Sequence, residues 1–154
     1  ETDVGFIETR IEIAASPERV FDAARDIDLH VQSQQASGER AVAGVTSGLI
    51  GLGEEVTFEA RHFGLRLRHR ARITALERPR RFVDEMVEGA FAEFRHEHLF
   101  EPIEQGTLMI DRLQLRAPLG PLGRCVEILI LDAYLRRLLE ERARALKTWL
   151  EASD

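Results

Sequence analysis

From Glu54 to Leu115 the chain alternates apolar and polar residues in run after run, and the connections between runs are too short to hold a crossover helix. A period of two is the signature of strands with one face buried. Three runs lie in GLGEEVTFEARHFGLRLRHRARITALERPRRFVDEMVEG, separated by Phe63-Gly64 and by Arg78-Pro79. FRHEHLFEPI and TLMIDRLQL add a final hairpin, turned by Glu104, Gln105 and Gly106. Short connections of this kind make antiparallel neighbours, so the stretch reads as a β-meander.

The flanks complete the plan. GFIETRIEI puts Ile7, Thr9, Ile11 and Ile13 on one face of a first strand. Ser16 then supplies an N-cap and Pro17 a first helical residue, with Val20, Phe21 and Ala24 as the buried stripe of a short helix. IDLHVQSQQ continues as a second short helix, and a weak strand is expected near Arg40 to Thr46. Beyond APLGPLG a long helix is expected from Arg124 to about Ala152. Its apolar stripe reads Ile128, Leu131, Leu135, Leu138, Leu139, Ala143, Leu146, Trp149 and Leu150. An amphipathic rod of that length must lie on the sheet. CVEILILDAY at its start is apolar nearly all round, which suits a lid, a homodimer patch or a rim. Cys125 reads as a small hydrophobe.

Parity assigns the faces of the meander. Val56, Phe58, Ala60 and His62 share one side; so do Leu67, His69, Ala71 and Ile73; so do Phe82, Asp84 and Met86. Arg66, Arg68, Arg70 and Arg72 take the other side, where Glu55 and Glu59 are available as partners. The run FRHEHLF is unusual, because Phe94, His96, His98 and Phe100 all point inward. An unpaired polar group in a dry core costs roughly 1–3 kcal/mol, so the two imidazoles need partners. A two-residue turn at Glu104 and Gln105 sets His98 opposite Asp111 and His96 opposite Leu113. Pairing Glu88 with Phe94 brings Asp84 beside His98 from the other side. Asp84, His98 and Asp111 are therefore expected in a row across three strands, with His69 and His62 further along the same face. Four readings of this cluster stand side by side: a satisfied polar network that fixes register, a patch orienting a ligand's head group, a set of metal ligands, or an acid–base pair centred on His98 with Asp111 or Asp84.

Composition trims the list. The 154 residues fit one domain, residues 1–154, with room for an internal pocket. A formal charge of −6 repels phosphate backbones, so no nucleic-acid partner is expected. No apolar run is long enough to span a bilayer, no signal peptide is evident, and one cysteine forms no intrachain bridge, so the expectation is a cytoplasmic protein. GLIGLGEE lacks the Lys-Ser/Thr of a phosphate-binding loop.

ASPERVFDAARD after the first strand, FVDEMVEGAF, HEHLF, and GTLMIDRLQLRAPLGPLG before the last helix together resemble the START-like, Bet v 1-like (SRPBCC) superfamily, in its bacterial polyketide cyclase/dehydrase or CoxG-like branch. That resemblance implies an α+β helix-grip fold: a curved antiparallel sheet of about six or seven strands around a long C-terminal helix, with two short helices after strand one. It also implies a mostly apolar cavity between sheet and helix that holds a small hydrophobic ligand of lipid, polyketide or aromatic type. It implies neither metal nor cofactor. The residues expected to face the ligand are Phe58, His62, His69, Asp84, Met86, Phe94, His96, His98, Asp111, Leu113 and Leu135. A cyclase or dehydratase using His98, Asp111 and Asp84 is the alternative, and an interaction domain with a collapsed cavity is a further one.

Overall fold

The computed structural model describes residues 5–117 and 130–153. Strand β1 (Gly5–Ile13) leads into α1 (Pro17–Ala24) and α2 (Ile27–Ser33), a single 3₁₀ turn (Gln35–Ser37), and β2 (Arg40–Gly44). The meander follows as β3 (Glu55–His62), β4 (Leu65–Glu77), β5 (Arg81–Glu88), β6 (Glu93–Ile103) and β7 (Gly106–Arg116), and the long helix α3 spans Asp132–Ala152. The seven strands form one antiparallel sheet in the order β1-β7-β6-β5-β4-β3-β2. This is the α+β helix-grip fold. The proposed helix start at Arg124, the PLGPLG bend, Ile128 and Cys125 lie outside the described residues.

Local chemistry accounts for the element ends. Ser16 Oγ accepts from Arg19 N at 3.4 Å and Pro17 opens α1, as its φ-locked ring suits a first helical position. Asp26 caps α2 by accepting from the backbone of Asp28 and Leu29. Phe63 and Gly64 both have positive φ, at 53° and 74°, the pairing that lets a two-residue hairpin turn follow the strand twist. Irregularities in the β4–β5 pairing, at Arg70/Ala71 and Ile73/Ala75, mark bulges that bend a sheet.

The isoleucine face of β1 is the inner one, with Ile7 and Ile13 fully buried. Phe21 from α1 sits at the centre of the larger core, edge-on to Phe82 and Phe100 at 5.4 and 5.2 Å, with Met109, Ala143, Leu146 and Leu150 around it. A second apolar group joins Ile7, Leu113 and Leu115 to Leu139 and Leu135 of α3. The expected arginine row does pair outward: Arg70 and Arg72 with Glu55, and Arg66 and Arg68 with Glu59.

One reading of α3 needs correction, and one inward residue was missed. Trp149, placed in the apolar stripe, is 46% exposed, whereas Arg142 is 4% exposed and faces the sheet. Arg142 lies three residues after Leu139 and four before Leu146, squarely within the stripe. A guanidinium occupies an inward position because the sheet offers it a carboxylate.

Candidate ligand cavity

Between the sheet and α3 lies a cavity of about 340 Å³. Its wall is mostly apolar, built by Val56, Phe58, Ala60, Leu67, Ala71 and Ile73 of β3 and β4, by Phe91, Phe94 and Leu113, by Leu131 just before α3, and by Leu135, Leu138 and Leu139 of α3. All five histidines also line it. Of the residues expected to face a ligand, Phe58, His62, His69, Asp84, Phe94, His96, His98, Leu113 and Leu135 do border this space. Met86 and Asp111 do not. Met86 packs toward Gly89 and His69, and Asp111, 1% exposed, sits one layer behind the wall.

The polar wall is one connected cluster. The β6–β7 register is the expected one, His98 opposite Asp111 and His96 opposite Leu113. The β5–β6 register is shifted by two residues from the expected pairing, so Asp84 stands opposite His96 and Phe82 opposite His98. A shift of two preserves the face, and the contact survives diagonally: His98 Nε2 donates to Asp84 Oδ2 at 2.7 Å. His96 Nε2 donates to Asp111 Oδ1 at 2.9 Å. His98 Nδ1 stands 3.1 Å from the same oxygen, off the hydrogen-bonding line, and the two imidazoles stack with centroids 3.7 Å apart. Behind them Arg142 places Nη1 3.5 Å from Asp111 Oδ1 and donates through Nη2 to the Ala24 carbonyl at 2.8 Å.

Charge follows from these contacts. Burial pushes the Asp84 and Asp111 carboxyls up, but the imidazole hydrogen bonds outweigh it and hold both well below the usual carboxylate range, with Arg142 assisting at Asp111. Burial pushes His98 down, yet the two flanking carboxylates overcome it and leave the ring above its ordinary value. His96 moves the other way, lowered by burial and by the charge of His98. Two carboxylates thus balance one imidazolium and one guanidinium, while His96 is neutral with its proton on Nε2, leaving Nδ1 as an acceptor. His69 is also lowered, chiefly by burial, and packs edge-on to Phe94 at 4.8 Å.

Metal chemistry fits this cluster poorly. Asp84, His96 and His98 do offer ligand atoms within 4.8 Å of one another. However, His98 Nε2 and Asp84 Oδ2 already satisfy each other, and the nearby Arg142 charge makes the cluster neutral without a cation. Acid–base work by His98 meets a similar obstacle, since both of its nitrogens face carboxylates.

Residues 6–151 match the family model described as polyketide cyclase / dehydrase and lipid transport. The chain belongs to that family. Solved structures share its fold. The protein TTHA0849 from Thermus thermophilus superposes with a TM-score of 0.79 at 18% identity, over 97% of this chain and 99% of that one. A START superfamily protein from Mycobacterium smegmatis gives 0.73 at 16% identity, over 97% and 99%. Norcoclaurine synthase from Thalictrum flavum, in complex with dopamine and hydroxybenzaldehyde, gives 0.74 at 14% identity, over 99% and 90%. At such identities the likeness is one of fold. No curated protein sequence matches the chain.

Among the cavity residues that escaped the sequence reading are Arg142, Tyr134 and His30. Arg142 and Tyr134 both sit in the helical stripe, Tyr134 three residues after Leu131 and four before Leu138, so periodicity alone marks them. His30 follows Ile27 by three residues on α2 and stacks on Phe58 at 4.4 Å, with Nε2 2.6 Å from Glu39. Tyr134 OH pairs with His62 Nδ1 at 2.5 Å.

Proposed function

We propose that this protein binds a small, largely apolar molecule of lipid, polyketide or aromatic type in the cavity between sheet and α3. The observation that carries the reading is the cavity itself: an apolar enclosure of about 340 Å³ with one polar wall, the combination expected of small-molecule sites. Membership of a family described as polyketide cyclase / dehydrase and lipid transport supports it. Among the described residues no helix is long and apolar enough to cross a membrane. The interior space weighs against the collapsed-cavity alternative. The cyclase or dehydratase alternative gains no support from His98, whose nitrogens are both turned to carboxylates.

Titration with the neutral dye N-phenyl-1-naphthylamine tests the reading. Saturable fluorescence enhancement at one site per chain is expected. It should be abolished in Ala60→Trp, which fills the cavity from β3 without touching the polar cluster. Absence of saturable binding to the native protein, or equal binding by the filled variant, would refute the assignment.

A further inference from the structure

The polar groups bordering the cavity differ in whether they have capacity to spare. Asp26 caps α2, Arg25 is held by Asp22 and the Ile50 carbonyl, and Arg68 by Glu59. Glu39 faces His30, and Arg142 gives its Nη groups to Asp111 and the Ala24 carbonyl, with its Nε buried and unpartnered. Around Asp84, on the wall formed by β4, β5 and β6, three groups remain among the described residues. Asp84 borders the cavity with 20% of its side chain open, and only its Oδ2 is hydrogen-bonded. His96 borders it with Nε2 engaged by Asp111, which leaves Nδ1 as an acceptor without a described partner. His69, on the same face of the adjacent strand β4, has no hydrogen bond to a described residue through either ring nitrogen. The spare capacity on this wall is therefore two acceptors and one neutral imidazole; the cation behind it, Arg142, has its unpartnered Nε shut away from the cavity, and Arg68, which shares Glu59 with Arg40 and Arg66, lies on β4 away from Asp84.

From this we infer that the ligand presents an uncharged hydroxyl, of phenol or alcohol type, which donates to the free oxygen of Asp84. The inference rests on the cavity-binding reading above and narrows it. A neutral hydroxyl is the group that fits on two counts. It supplies the proton that Asp84 Oδ1 and His96 Nδ1 lack, and it leaves the balance between the two carboxylates and the His98 and Arg142 cations undisturbed. A carboxylate-headed ligand such as a fatty acid brings a second acceptor against Asp84, with no free cation beside it on that wall. An ammonium finds Asp84 but adds an unbalanced charge beside His98 in an apolar chamber. A plain hydrocarbon leaves the buried oxygen unpaired, which is the costly outcome for a polar group.

The test is calorimetric titration at pH 7 with four bicyclic probes that differ only in the head group: 2-naphthol, 2-methylnaphthalene, 2-naphthoate and 2-naphthylmethylammonium. The expected order has 2-naphthol tightest, ahead of 2-methylnaphthalene by about tenfold, the ratio that one satisfied hydrogen bond gives. The two charged probes are expected to be weaker than the hydrocarbon. In Asp84→Asn, whose amide is neutral and can itself donate, the naphthol-to-methylnaphthalene ratio should fall toward one and the naphthoate penalty should shrink. Because the ratio is internal to each protein, a general loss of affinity does not imitate it. Val83→Ala, buried next to Asp84 on β5 but outside the cavity lining, serves as the second variant and should keep the ratio well above one. If 2-methylnaphthalene equals 2-naphthol in the native protein, or either ion binds tighter than naphthol, the hydroxyl assignment is overturned while the cavity reading stands. If none of the four binds, the cavity reading falls instead.

Discussion

Replacing Asp111 by Asn tests the charge network most directly, because it keeps the shape of a side chain that is 1% exposed and removes one charge. In the native cluster the carboxylate lies 2.9 Å from His96 Nε2, 3.1 Å from His98 Nδ1 and 3.5 Å from Arg142 Nη1. Without it, His98 and Arg142 share the single negative charge of Asp84. Removing one partner of a buried ion pair costs about 3–5 kcal/mol. The lower end, about 3 kcal/mol, is expected here, because the Arg142 contact is long and His98 can shed its proton to relieve the excess. The sign with pH follows from the same groups. The folded-state pKa of His98 is raised, so its contribution is complete below about 6.5 and is lost as pH rises through the folded value. The Asp111 value is depressed, so its contribution is present above about 3.9 and lost as pH falls through the folded value. Urea unfolding followed by far-ultraviolet circular dichroism at pH 5, 7 and 9 measures both effects. The gap between native protein and Asp111→Asn should be widest at pH 5 and should narrow toward pH 9, as rising pH removes the His98 charge. A gap under about 1 kcal/mol at pH 5, or one that does not change between pH 5 and 9, would refute a buried cluster of coupled charges.

Two further substitutions probe the frame around the site. Gly106 opens β7 with φ 148°, and a Cβ there would meet the Ile13 carbonyl oxygen at 2.1 Å, so Gly106→Ala should lower stability by about 2 kcal/mol or more in the same urea assay. Tyr134→Phe removes the 2.5 Å contact to His62 Nδ1 at the cavity wall and should cost about 1 kcal/mol; unchanged stability would mean that solvent already replaces that bond.

Much of this architecture was legible because a period of two is hard to mistake over five consecutive runs, and because Ser16-Pro17, Phe63-Gly64 and Glu104-Gln105 each punctuate it with a specific chemistry. Facing was legible for the same reason: His62, His69, Asp84, His96 and His98 all border the cavity that parity assigned them to. What parity does not carry is depth and register. Asp111 faces inward as expected, yet it lies behind the imidazoles, a matter of sheet curvature and of α3 pressing Arg142 toward it. The β5–β6 offset was out of reach because Gly89 to Ala92 form a loop whose length in residues does not dictate which pair closes it. The sequence reading assigns Arg142 to neither face, although its spacing from Leu139 and Leu146 puts it in the stripe; arginine ordinarily seeks water, and the carboxylate of Asp111 is what draws this one inward.

The diagonal pattern of the cluster gives a reason for charged groups to persist in a wall that apolar residues would fill at less cost. Asp84 stands opposite His96 but bonds His98, and Asp111 stands opposite His98 but accepts its shortest hydrogen bond from His96. Each carboxylate reaches one pleat along the neighbouring strand. A slip of two residues between β5 and β6 keeps every inward side chain inward, so hydrophobic burial discriminates weakly between the two registers. The diagonal bond discriminates in one direction, because a slip that sets Asp84 opposite Phe94 carries it out of reach of His98 and leaves a buried carboxylate without its donor, a cost of several kcal/mol. The same geometry fixes Oδ2 of Asp84 on His98 and turns the remaining oxygen toward the cavity. Register selection and presentation of an acceptor to the chamber are then two consequences of one arrangement, and a substitution that frees the register should blunt ligand selectivity even when the cavity volume is unchanged.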